Sequence, residues 1–195
     1  FEVSRNYFKL HACCRYNHAA LDALWKIIEQ HSEVKNINQI KKIEVQSYNL
    51  AAELNDQNPR NVLACKFSIP FAISTTLVNL DSGVLSFTEI MRTNKNIQNL
   101  CQKVTIVEDT TMTEKTPDLR PADVHVLMEN GSTFKAQVTT NRGDWQDPYS
   151  EEELKQKFIS LTTRLWSQKK ALNVYSKSIK LEKIPLDDLI NSIIN

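Results

Sequence analysis

The chain has 195 residues, which suits one domain of ordinary size with a core of its own. Hydrophobic residues make up 41% and charged residues 24%, and 24 Lys+Arg against 23 Asp+Glu leave a net charge of +1. This balance supplies no basic excess for nucleic acid and no acidic tail, and no stretch reaches the apolar length of a membrane span.

The opening FEVSRNYFKL lacks an initiator Met and a signal-peptide pattern, so it reads as a piece of something longer. Residues 2–10 are either a short strand or the extended lead into a helix. From His18, the residues Leu21, Leu24, Trp25 and Ile28 recur at helical spacing and predict an amphipathic helix from about Asn17, as its cap, to about His31. Ile40, Ile43, Val45 and Ser47 alternate as a strand with one slip of register. Asn58-Pro59 marks a turn. The apolar run from Val62 to Leu80 predicts a buried helix in which Pro70 stands at the start and Ser68 caps it. One or two helices follow between Leu85 and Gln102, then a strand in KVTIVED and a polar loop.

In ADVHVLMENGSTFKAQVTT, Val124, Val126 and Met128 alternate, Asn130-Gly131 suggests a type I′ turn, and Phe134, Ala136 and Val138 alternate on the return, which predicts a β-hairpin. Ser150 and Glu153 form a capping box ahead of a helix running to Trp166, and Pro185 opens a short C-terminal helix. No internal repeat or low-complexity segment is present. The expected fold is α+β, a two-layer sandwich with helices packed on a mainly antiparallel sheet, in a single domain over 1–195. The four cysteines form no spaced disulfide framework, which points to a reducing compartment, the cytosol or a mitochondrial matrix.

The stretch FKLHACCRYNHAALDAL concentrates reactive side chains, and four readings compete for it. His11, Cys13, Cys14 and His18 are conceivable metal ligands, but adjacent cysteines seldom serve one ion and no second ligand pair follows. A cysteine at a helix start beside Lys9, Arg15 and His18 could be a thiolate nucleophile, or both cysteines could pack as small apolar side chains. Lys9, Arg15 and His18 near unpaired helical N–H groups could hold a carboxylate, with His18 moving a proton and Asp22, one turn on, orienting its ring. Last, the cations could be solvated and His18 could only cover the core edge. Spacing alone favours this last reading by a narrow margin.

The same stretch resembles the start of the C-terminal domain of the MmgE/PrpD family, with its K-P-Y-P-x-C-R-x-x-H-x-x-[IL]-D-A pattern. Here it stands as Lys9, Cys14, Arg15 and His18 followed by AALDA. NPRNVLACKFSIPFAISTTLVNLDSG, NLCQKVTIVED, RPADVHVLMENGSTFKAQV and GDWQDPYSEEELKQKF are similar to further family stretches in the same order, from about Lys9 to about Trp166. The resemblance implies an α+β lid closing over a larger N-terminal helical domain of the same protein, and a homodimer. It implies a lyase on a small di- or tricarboxylate, foremost a 2-methylcitrate dehydratase-like hydro-lyase. A cis-aconitate decarboxylase and an iminodisuccinate epimerase are the alternatives, and a non-catalytic interaction module or degenerate homologue is a further one.

Lys9 and Arg15 would bind substrate carboxylates, and His18 and Cys14 belong to the catalytic motif. Phe71 takes a substrate-binding place that is Tyr in some relatives, where it cannot donate a proton. The motif's prolines are replaced by Leu10 and Ala12, and its aromatic by His11. These residues require no metal or organic cofactor, and neither nucleic acid nor a membrane is an expected partner.

Overall fold

The structure is a computed structural model that describes residues 2–194, and the chain divides into two compact units, Phe1–Pro148 and Tyr149–Asn195. In the first unit α1 (His18–Gln30) precedes β1 (Ile40–Ser47), α2 (Asn49–Ala52), α3 (Val62–Lys66) and α4 (Ile69–Asn79). Then come α5 (Glu89–Arg92), α6 (Lys95–Cys101), β2 (Val104–Glu108), α7 (Thr110–Thr113), β3 (Ala122–Met128) and β4 (Thr133–Val138). The second unit holds α8 (Glu151–Thr162), α9 (Gln168–Ser178) and α10 (Leu186–Ile194).

The four strands form one sheet in the order β2-β1-β3-β4. β1 runs parallel to β2, while β1–β3 and β3–β4 are antiparallel. Ile43, Val45, Val104, Val124 and Val126 are buried on one face, and Lys42, Glu44 and Lys135 stand among the polar residues of the other. Alternation of apolar and polar residues therefore fixes which face receives the helices. α1 packs on β3 and β4, and α4 packs on β2, α1 and α6. The fold is α+β, with helices layered on a mainly antiparallel sheet, as expected.

The slip of register in β1 is a β-irregularity between Ile40 and Lys42, which lets Ile40 and Ile43 both face the core although three positions apart. α4 starts where its sequence says. The Ser68 hydroxyl accepts from the Phe71 N–H at 3.0 Å and donates to the Asp56 carbonyl at 2.5 Å, and Pro70 occupies the first turn. Ile69 to Leu77 are all buried, so this helix is the centre of the helical layer.

Three local readings need correction. Asn17 caps nothing; its side-chain amide donates to the Lys66 carbonyl at 3.0 Å, and a 3₁₀ turn over Arg15–Asn17 leads into α1. The hairpin turn is not type I′, because among the described residues Leu80 is the only non-glycine with positive φ. Instead the Gly131 N–H donates to the Met128 carbonyl at 3.0 Å and the Met128 N–H to the Ser132 carbonyl at 2.9 Å, with Gly131 at φ 87. That is a three-residue loop, a type I turn closed by a left-handed glycine. Finally, the capping box of Ser150 and Glu153 is present, but α8 ends at Thr162 rather than Trp166. α9 escaped the sequence reading because its apolar positions, Ala171 and Val174, lie among Gln, Lys and Ser residues.

A Cβ added at Gly131 meets nothing within 4 Å, so the cost of filling it is backbone strain alone. Gly131→Ala should lower stability by about 1–2 kcal/mol in urea unfolding, with Gly131→Asn costing less because Asn tolerates the left-handed region; no loss in Gly131→Ala would rule out a left-handed residue there.

Candidate functional site

The segment from Phe8 to Cys14 has no regular structure, yet three backbone hydrogen bonds hold it to two distant loops and to the end of α3. The Phe8 N–H donates to the Gly143 carbonyl at 3.0 Å, that of Ala12 to Ser82 at 2.9 Å, and that of Cys14 to Lys66 at 2.9 Å. The reactive residues of the opening stretch are thereby fixed before α1 begins. The lead over residues 2–10 is neither a strand of the sheet nor extended throughout, since Glu2–Arg5 form a 3₁₀ turn.

Lys9 and His18 converge on one acceptor. The Lys9 ammonium, half-buried, donates to the Cys13 carbonyl at 3.4 Å, and the His18 Nε2 lies 3.4 Å from the same oxygen. With Nε2–H donating there, Nδ1 is left as a bare acceptor, and it has no partner among the described residues. His18 is fully buried, and desolvation, assisted by the neighbouring His11 ring, pushes its pKa down to about 3. The imidazole is therefore neutral at ordinary pH. Lys9 pairs with no carboxylate among the described residues.

Asp22 does not orient His18. The His18 ring runs back toward the start of the helix, as helical side chains do, and reaches Cys13. Asp22 instead takes His11: its Oδ1 lies 3.0 Å from His11 Nε2, while Oδ2 accepts from the Arg142 N–H at 2.8 Å. The other nitrogen of His11, Nδ1, is 2.6 Å from the Ser82 hydroxyl. The His11 and His18 rings meet edge to face, 5.0 Å apart. The sequence reading weighed His11 only as a metal ligand and gave Ser82 no role, since 71 residues separate the two and no spacing could announce the contact.

The remaining expected residues are distributed differently. Arg15 is engaged by both carboxylate oxygens of the buried Asp144 and lies over the Tyr7 ring at 3.9 Å. Its charge is thus already answered within the chain. Cys13 is buried, and desolvation above all pushes its thiol up to about 12, so it packs as a neutral side chain. Cys14 is half-exposed, and all four cysteines are free thiols. Phe71 is buried in the first turn of α4 with its ring centroid 6.0 Å from that of Phe87. Among the described residues no three His, Cys, Asp or Glu side chains are placed to hold a metal ion, and no helix is long and apolar enough to cross a membrane.

The geometry joins a cation lacking a carboxylate partner to a neutral imidazole with a bare nitrogen. The cation of such a pair can hold an anion, while the buried imidazole helps to fix the segment around it. Because the folded protein holds His18 neutral while the unfolded chain protonates it near its ordinary pKa of 6.5, the unfolded state binds the extra proton. Stability should therefore fall as pH drops from about 6.5 toward 3, at up to ~1.4 kcal/mol per pH unit from this group. Urea midpoints measured across that range should show the slope reduced in His18→Asn; an unchanged slope would mean His18 is not buried neutral.

The sequence profile of the MmgE/PrpD C-terminal domain matches residues 11–181 of the chain. None of the curated proteins compared matches it. The matched segment starts at His11, inside the network just described, and takes in the whole sheet, α1 and α4. With so much of its length matched, the chain belongs to the MmgE/PrpD family, as its C-terminal domain.

Proposed function

We propose that this chain is the carboxylate-binding lid of a hydro-lyase acting on a small di- or tricarboxylate, foremost a 2-methylcitrate-like hydroxy acid. The observation that carries the reading is Lys9, a half-buried ammonium beside two buried histidines with no carboxylate of its own among the described residues. A substrate carboxylate would complete it. One ion pair at an exposed site is worth only ~0–1 kcal/mol, so further cations and partial burial must share the task. The partner domain, helical in this family by the resemblance, would supply them and would cover Lys9.

In the reaction a proton leaves the carbon next to a carboxylate and the neighbouring hydroxyl departs as water. Lys9 fixes the carboxylate, and the buried, neutral His18, on the same Cys13 carbonyl, orients the segment that carries it. Cys14, half-exposed in the same segment, stands at the edge of this arrangement. Arg15 acts through Asp144 to hold the segment in shape rather than by reaching substrate. Phe71 provides no hydroxyl, so the acid that protonates the departing group comes from elsewhere. Decarboxylation of cis-aconitate or epimerisation of iminodisuccinate would use the same carboxylate anchor. A homodimer in a reducing compartment is the expected setting.

In the protein that carries this domain together with its helical partner, 2-methylcitrate should yield an unsaturated acid, followed by ultraviolet absorbance. Lys9→Ala should lower kcat/KM at least tenfold, matching the loss of a charge-assisted hydrogen bond of about 1.5–3 kcal/mol, and Lys9→Arg should retain part of it. Wild-type turnover in Lys9→Ala would remove Lys9 from the site. No turnover of 2-methylcitrate, citrate or cis-aconitate by the intact protein would leave the non-catalytic module as the better reading.

A further inference from the structure

Ser82, His11 and Asp22 form a hydrogen-bonded chain, and the neutral ring with its proton on Nε2 satisfies each contact. The Arg142 N–H holds Asp22 Oδ2 at 2.8 Å, and Asp22 Oδ1 accepts from His11 Nε2–H at 3.0 Å. That bond leaves the lone pair of His11 on Nδ1, and the Ser82 hydroxyl donates to it at 2.6 Å. A hydroxyl, a base and a carboxylate that sets the base's tautomer are the three parts of an activated serine, recognised by roles and geometry rather than by chain order. The ring is reversed relative to the usual arrangement, with Nδ1 toward the serine, but either imidazole nitrogen is competent as a base.

The position of Ser82 fits the role. It follows the end of α4 by three residues, after Leu80, whose φ of 49 puts it in the left-handed region, and beside the exposed Asp81. Ser82, His11 and Asp22 are all buried, at 8%, 4% and 9% exposure, so an ester has to reach the hydroxyl through a narrow opening. The backbone carbonyl of Ser82 is held by the Ala12 N–H at 2.9 Å, and its own N–H has no acceptor among the described residues.

We infer that Ser82 is a nucleophile activated by His11 and that the chain carries out acyl transfer from a small ester. The Ser82 oxygen bonds to the carbonyl carbon as its proton passes to His11 Nδ1, and Asp22 balances the imidazolium. The tetrahedral adduct expels the alcohol, which takes the proton back from His11. Water then attacks the acyl-serine by the same route, releasing the acid and restoring the hydroxyl. Ser82 and His11 are the catalytic residues, and Asp22 is a positioning residue. The inference does not use the lyase reading, and either can fail while the other stands.

The test is covalent labelling of the full chain with an alkyl fluorophosphonate, in which the serine oxygen bonds to phosphorus and fluoride leaves. One adduct per chain, mapped by peptide mass spectrometry to Ser82, is the expected result. Ser82→Ala should take up none, and His11→Gln should label at least about 100-fold more slowly, the lower range of a lost general base. The mapping on the wild-type protein decides the matter even if a variant fails to fold. A folded wild-type chain without an adduct, an adduct at another residue, or equal labelling rates in wild type and His11→Gln would each overturn the inference and leave the three residues as a brace between loops.

Discussion

A carboxylate facing inward from the first helix has to be answered, and the way Asp22 is answered organises the end of this domain that carries the candidate site. Its two oxygens take a histidine from the segment before the helix and a backbone N–H from the loop after β4. The histidine in turn takes a hydroxyl from the loop after α4. Three segments that are remote in the chain are thereby joined at one buried point. An unpaired carboxylate there would cost several kcal/mol or would be forced to protonate, so the three segments cannot drift apart cheaply. The backbone bonds from Phe8 and Ala12 to those loops, and from Cys14 to the end of α3, reinforce the same constraint.

From that anchor the arrangement of charge follows. Arg15 turns to Asp144 and Tyr7, which removes it from the list of available cations. Lys9, four residues before Cys13, reaches only a carbonyl oxygen and keeps its charge unmatched by any carboxylate among the described residues. His18 shares that carbonyl, and its burial makes it neutral. Two basic residues that look equivalent in the sequence thus differ completely in what they can offer to an anion. The difference arises from where Asp144 falls, not from anything near Lys9 or Arg15 in the chain.

The regular elements were legible because their signals are local. The register slip between Ile40 and Ile43, the cap at Ser68 with Pro70 behind it, and the capping box at Ser150 each act within a few residues, and each is where the pattern put it. Where local signals misled, a competing partner explains it. Asn17 has the chemistry of a cap, but its amide is claimed by the Lys66 carbonyl 49 residues on. Asn130-Gly131 has the composition of a type I′ turn, but the strands close over three residues and need only the glycine at positive φ. The family motifs point to the stretch from Lys9 to His18 without saying which of its members meet.

By itself the sequence determined the α+β class, the inward faces of β1, β3 and β4, the start and burial of α4 and the crowding of cations and histidines before α1. These are consequences of periodicity and of covalent neighbours, which any fold of this chain must respect. Only the tertiary structure decided that Asp22 belongs to His11 rather than to His18, that Ser82 completes that pair, and that Asp144 neutralises Arg15 while Lys9 goes without a carboxylate. The reason is physical. A hydrogen bond is settled within about 3 Å, and the residues that meet here are separated by 11, 71 and 129 positions, distances over which a sequence pattern carries no geometry.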